Sequence, residues 1–270
     1  MAATKLKSCL AAWLALALFW PAAAWGGPAL KRILAENQLR VGTSGDYPPL
    51  TAKGPDGKLI GLDPDLAALL AERLGVRLKL VQVPAGRLLK ALEAGEVDLA
   101  ISALTITLRD NLRVVFVGPY LASGQTLLTS AQVGEGLKAL ADVDRPEFSL
   151  AVARGSSGEE VARQMMPKAK ILTQDSMQGA LQMLLAGKVK AVIADYPFCA
   201  LAVFQHREAK LGLLEKPFTY EPLGIALAQG DPEFVNLLRN YLLLMQGSGR
   251  LDLLRQNWLK REPWMRLLPR

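Results

Sequence analysis

Ser102, Thr105 and Thr107 follow the apolar run Leu99-Ala100-Ile101, and Arg109 and Asp110 come directly after, where a helix is expected to begin. Hydroxyls and a guanidinium placed just beyond a buried strand form a shelf for a small polar or anionic group. In an open α/β sheet, ligands bind past the carboxyl ends of the strands, where free N–H groups and helix N-termini converge. A strand that simply ends in a Thr-rich turn is the plainer alternative. Other chemistry has little material. The one histidine, His206, lies in a polar helix-like stretch and leaves neither a Ser/His/Asp triad nor a His-based metal site. Cys199 follows Asp195-Tyr196-Pro197-Phe198 and reads as a buried small apolar residue rather than a nucleophile.

The elements that must position such a shelf alternate along the chain. Leu39 to Thr43 reads as a strand, Asp63 to Leu74 as an amphipathic helix ended by Gly75, and Arg77 to Val83 as a second strand. Leu88 to Ala94 reads as a helix ended by Gly95, before the strand Val97 to Ile101. The same order returns as strand Phe148–Ala153, helix Gly158–Met165, strand Lys170–Leu172, helix Ser176–Ala186 and strand Ala191–Ala194. Alternating strand and helix imply crossovers and mainly parallel sheets. Gly118 to Leu128 and Phe218 to Leu227 look extended and would cross between two lobes, and helices at Asp231–Met245 and Leu251–Leu259 would return to the first. Lobe 1 is therefore expected over residues 28–122 and 222–270, and lobe 2 over 126–218. Two crossings permit hinge closure.

Ahead of this pattern, Lys5 and Lys7 precede the apolar stretch Cys9 to Trp20, and Ala22-Ala23-Ala24 offers small residues for cleavage. Residues 1–24 read as a secretory signal peptide, which implies a soluble periplasmic protein. Cleavage would leave Cys199 without a cysteine partner, and loss of Lys5 and Lys7 would take the formal charge from +7 to +5. The basic residues are dispersed and aromatics are 6 % of the chain, which argues against a nucleic-acid groove.

Several stretches together resemble the periplasmic solute-binding proteins of polar amino-acid ABC transporters. They are Arg40-Val-Gly-Thr43, Tyr47-Pro-Pro, Gly57-Lys-Leu-Ile-Gly-Leu-Asp63-Pro-Asp65-Leu, Gly95-Glu-Val-Asp98, Thr105-Ile-Thr107, Phe116-Val-Gly-Pro-Tyr120, Gly155-Ser-Ser-Gly158 and Ala191-Val-Ile-Ala-Asp195. The resemblance implies an α/β, two-lobed type II periplasmic binding-protein fold, each lobe a mostly parallel sheet flanked by helices, joined by two hinge strands. It also implies a monomer that captures a small polar amino acid between its lobes, without cofactor or metal, and delivers it to a membrane permease.

A free amino acid needs donors for its carboxylate and an acceptor for its ammonium. Asp195 stands at the position that the resemblance assigns to the ammonium, where exclusion of water would strengthen a charge-assisted bond. A cap before Pro197 is its plainer role. Ser157, at a helix start, would offer hydroxyl and N–H to the carboxylate, or serve only as an N-cap. By resemblance Tyr47 lies against the ligand stem, or merely packs the loop before Pro48. Ser44 lies where some members carry an acidic residue for the amine, and Ala103 and Thr105 match the backbone shelf. The chain departs from the pattern after Thr107. Asp110 occupies the position of the usual carboxylate-binding arginine, and Arg109 comes one residue earlier, about 100° round a helix. Arg109, Arg154 and Arg87 are thus the competing carboxylate partners. Ala85-Gly86-Arg87 is similar to a segment that serves acidic ligands in some members, so an acidic or small polar ligand is the leading expectation; a solvated Arg87 is the alternative. Two further alternatives are a cyclohexadienyl or arogenate dehydratase on the same fold, with Glu159 or Asp195 as proton donor, and an accessory binding protein without a transporter.

Overall fold

The computed structural model describes residues 27–135, 137, 140–214 and 217–259; the expected signal peptide, Cys9 and Trp264 lie outside them. The chain opens with helix α1 (Pro28–Glu36), which the sequence reading missed, begun by a proline at its first position and ended by Asn37 in the left-handed region. It leads into strand β1 (Gln38–Thr43). A small antiparallel sheet follows, of β2 (Asp46–Tyr47), β3 (Thr51–Lys53) and β4 (Leu59–Ile60). Helix α2 (Leu62–Leu74) ends at Gly75 with φ +67°, a left-handed turn that closes its last carbonyls. Strand β5 (Arg77–Gln82), helix α3 (Leu88–Glu93), strand β6 (Leu99–Ala100) and the short helix α4 (Leu108–Asn111) complete the first run.

Strand β7 (Val114–Ser123) ends the first lobe's run and β8 (Gln125–Ser130) begins the second's, with only Gly124 between them. Then come helix α5 (Ala131–Gly134), strand β9 (Ser149–Ala153), helix α6 (Ser157–Met165), strand β10 (Lys170–Gln174), helix α7 (Met177–Leu185), strand β11 (Ala191–Asp195), helix α8 (Tyr196–Gln205) and strand β12 (Leu211–Leu213). The chain returns through β13 (Glu221–Ala228) to helices α9 (Pro232–Gly247) and α10 (Arg250–Leu259).

Each lobe is built on a five-stranded sheet, ordered β5-β1-β6-β13-β7 in the first and β10-β9-β11-β8-β12 in the second. The leading three strands of each are parallel, as the alternating pattern requires. The fourth, β13 or β8, runs antiparallel to its neighbours. These two odd strands are the ones that enter each lobe from the other, so the reversal of direction is the signature of the crossing.

Apolar residues cover both faces of each sheet. In lobe 1, Leu66, Leu70, Phe234 and Leu238 pack with Val41 and Leu99 on one face, while Leu88, Leu92, Val97 and Val114 fill the other. In lobe 2, Leu181, Leu184 and Phe198 lie on one side and Phe148, Ala162 and Met166 on the other. Trp258 docks on lobe 1, where its indole N–H donates to Asp65 Oδ2 at 2.7 Å.

The crossings touch at Gly124. A Cβ there would meet the carbonyl oxygen of Thr219 at 2.0 Å, so only glycine lets the second crossing run this close. The Gln125 N–H donates to Thr219 Oγ1 at 2.7 Å beside it.

Candidate functional site

Asp195 is the last residue of β11, a strand whose first four residues are fully buried, and Pro197 lies in the first turn of the helix that follows, where a missing N–H costs nothing. It occupies the N-cap position of α8, yet its side chain caps nothing. The carboxylate points elsewhere. Tyr47, from the small sheet of lobe 1, donates its hydroxyl to Asp195 Oδ2 across the lobe boundary. Gln125 Nε2 donates to Oδ1 at 2.8 Å. The Tyr47 ring also lies 6.3 Å from the Phe198 ring with an interplanar angle of 28°. One residue of the first lobe therefore reaches the second by a hydrogen bond and by stacking.

Ser156 and Ser157 divide the work at the start of α6. Ser156 is the cap, its hydroxyl accepting from the Glu159 N–H at 3.2 Å. Ser157 is thereby released. Its hydroxyl accepts from Gln125 Nε2 at 3.2 Å and donates to Glu221 Oε2 at 3.1 Å. Glu221, at the start of β13, also accepts from the Thr219 hydroxyl at 3.3 Å. Glu221 and Gln125 are 6 % and 1 % exposed, and neither was singled out in the sequence. Both stand at the ends of crossing strands, which read as connections.

The electrostatics are one-sided. Burial, followed by the neighbouring charge of Glu221 and a hydrogen bond with it, holds the Asp195 carboxyl well above the usual carboxylate range. Among the described residues no lysine, arginine or histidine pairs with Asp195 or Glu221. The three candidate arginines are all exposed and take no part in this cluster. Arg87 pairs with Glu96 at 3.4 Å and Arg154 with Asp175 at 3.4 Å. Arg109 sits on the four-residue α4, where Thr107 is the cap and Asp110 completes a reciprocal pair with it, at 3.0 Å from its N–H and 2.9 Å from its carboxylate.

The first-lobe shelf is held from below. Ser44 is 4 % exposed, and both its N–H and its hydroxyl oxygen bond to Ser102 Oγ, at 2.9 and 3.1 Å. Ala103 has φ +50°, a left-handed conformation unusual for a residue with a Cβ. Its N–H donates to Asp63 Oδ2 at 2.8 Å, and Tyr120 donates to Oδ1 at 2.8 Å. Asp63 is fully buried, which pushes its carboxyl up to about 7. Thr105 bridges to Leu223 of β13, tying the shelf to the second crossing. Among the described residues there is no cluster of three or more His, Cys, Asp or Glu arranged for a metal ion. No described helix is long and apolar enough to cross a membrane.

Two α/β lobes joined by two crossings, with polar groups of both gathered at the boundary, define a type II two-lobed binding protein. Residues 39–261 match the bacterial extracellular solute-binding proteins, family 3, and the chain belongs to that family. It is 29 % identical over 231 residues to a cyclohexadienyl dehydratase of Pseudomonas aeruginosa, covering 86 % of each chain. It also superposes, with TM-score 0.82 and 37 % identity, on a putative binding component of an ABC transporter from Wolinella succinogenes complexed with lysine, covering 85 % of this chain and 99 % of that one. An ancestral cationic amino acid solute-binding protein matches with TM-score 0.76 and 35 % identity over 86 % of this chain and 99 % of that one.

Proposed function

We propose that this protein is an exported, monomeric binding protein that captures a cationic amino acid between its lobes and hands it to the permease of an ABC transporter. The observation that carries this reading is the Asp195–Glu221 pair, two carboxylates at the lobe boundary that no lysine, arginine or histidine among the described residues pairs with. An ammonium or guanidinium entering there would meet charge-assisted acceptors in a site sheltered from water. The first turn of α6, with the Ser157 hydroxyl turned from Glu221, would then offer donors for a carboxylate. An acidic side chain, which Arg87 had suggested, is disfavoured because Arg87, Arg109 and Arg154 face solvent.

Capture follows from the geometry. The Tyr47 hydroxyl donates to Asp195 across the boundary; a ligand cation replaces that hydroxyl at the carboxylate and leaves the phenol ring as a wall over its stem. The relatives bound to or named for cationic amino acids support the same ligand class. Titration calorimetry with the amino-acid panel is the test, with lysine or arginine binding expected and glutamate binding alone refuting the choice.

One observation favours a second reading. A dehydratase needs a carboxyl that can deliver a proton to a departing hydroxyl, and burial and the neighbouring Glu221 raise the Asp195 carboxyl well above its usual range. Glu159, the other candidate acid, is held below the usual range by the Gly155 N–H and by Arg163 and is a poor donor. Incubation with prephenate separates the readings: formation of phenylpyruvate would establish the enzyme, and its absence alongside lysine binding would establish the receptor.

A further inference from the structure

Helix α9 carries more apolar surface than lobe 1 covers. Leu238, Leu242 and Met245 face the core, but Leu243 and Leu244 are 69 % and 70 % exposed. One exposed leucine is ordinary, whereas two in succession beside a concavity mark a surface that meets something apolar. The concavity lies between α9 and the last turns of α2. Leu70 and Leu74 of α2, spaced i and i+4, and Leu237, Leu244 and Met245 of α9, spaced i, i+7 and i+8, form its apolar wall. Its volume of about 740 Å³ is within the range of small-molecule sites.

The rim is positive. Arg73 from α2 and Arg250 from the start of α10 both line the groove, and the charges of both reach the Tyr241 hydroxyl, which lines it too. Elsewhere on the surface Arg87, Arg113 and Arg163 have acidic partners. Among the described residues Arg73 and Arg250 pair with no carboxylate. Glu72 precedes Arg73, but one residue is a step of about 100° round a helix, and Glu72 does not line the groove.

Two guanidiniums beside an apolar wall fit a molecule with an anionic head and a hydrocarbon body. The head accepts paired N–H donors, and the body covers the leucines. The chain's own ends outside the described residues do not fit, since Lys5 and Lys7 on one side, and Lys260, Arg261, Arg266 and Arg270 against Glu262 on the other, bring like charge. We propose that the groove between α2 and α9 is a second binding site, for a free monocarboxylate with an extended hydrocarbon body. Arg73 stands about 15 Å further along α2 than Asp63 beneath the shelf, so the groove and the lobe boundary can be filled together. The inference is independent of the cation-binding reading.

The test is methyl NMR of the protein labelled at leucine and methionine, titrated with decanoate below its micellar concentration. Saturable shifts centred on Leu244 and Met245 are expected; no saturable shift there would overturn the site. Arg73→Gln combined with Arg250→Gln should weaken decanoate by about tenfold or more, and the wild type should bind decanol more weakly than decanoate by a similar factor. Equal affinity in either comparison would overturn the role of charge. Both arginines are exposed, so the double variant should fold. Asn240→Trp, at another exposed position lining the groove, gives a second check: it should obstruct decanoate, and unchanged affinity would overturn the location. Pelleting with phosphatidylglycerol vesicles and sedimentation of the protein alone address the other occupants. Vesicle binding or self-association that the arginine substitutions abolish, without decanoate binding, would overturn the proposal.

Discussion

Asp63 gives the sharpest test of the electrostatics beneath the shelf. Its carboxyl is pushed up to about 7 by complete burial, against 3.8 in an unfolded chain. The native state therefore binds this proton more tightly than the unfolded state does. The sign follows: Asp63's contribution to stability is fully present below pH 4, declines as pH rises towards 7, and is flat above that. About three pH units at 1.36 kcal/mol each put the total near 4 kcal/mol. At roughly 2–4 °C per kcal/mol for a chain of this size, the melting temperature moves by about 10 °C. Asn at this position keeps an acceptor for the Ala103 N–H and has nothing to titrate. Thermal melts of the wild type and Asp63→Asn from pH 4 to pH 8 should give a difference that swings towards the variant by about 10 °C. Other groups, Asp195 included, are common to both proteins and cancel. A wild-type minus variant difference that does not change with pH would refute the burial argument.

Four further outcomes follow from the geometry. Asp195→Ala should weaken binding of a cationic amino acid by about 30-fold or more, since losing one partner of a sheltered charge pair costs about 2–5 kcal/mol; calorimetry with a folded variant checks it, and wild-type affinity would remove Asp195 from the site. Arg87→Ala should change that affinity less than about twofold, because the guanidinium pairs with Glu96 on the surface. Gly124→Ala should destabilise by about 3 kcal/mol or more in denaturant melts, since the new Cβ would lie 2.0 Å from the Thr219 carbonyl oxygen, which is backbone. Ala103→Gly should stabilise by about 1 kcal/mol, because φ +50° costs a residue with a Cβ more than glycine's added chain entropy.

Much of the fold was legible because its signals are local. Gly75, Gly95 and Gly187 mark helix ends and all have φ +67°. The run before Asp195 is apolar without alternation, as a strand covered on both faces must be. The crossing segments were visible as extended, but their partners were not. Glu221 and Gln125 join the polar network of Asp195 only when β13 and β8 meet the start of α6, in contacts between residues 64 and 32 apart in the chain. The surroundings of the arginines were hidden for a related reason. Arg109 was weighed by its phase on a helix, but α4 has only four residues, and its first, Leu108, and the residue just after it, Leu112, are 90 % and 81 % exposed, so that segment faces solvent. Arg87 and Arg154 found acidic neighbours on the surface, Glu96 and Asp175, that sequence distance does not reveal. Helix α1 was missed because its start adjoins the apolar N-terminal stretch of the sequence, which hides its periodicity.

The most direct test of the account is a crystal structure of the protein grown with lysine. The account predicts an ammonium of the ligand within hydrogen-bond distance of the Asp195 carboxylate, with the Tyr47 hydroxyl displaced from it. A ligand carboxylate facing Arg87 or Arg154, with Tyr47 still bonded to Asp195, would contradict it.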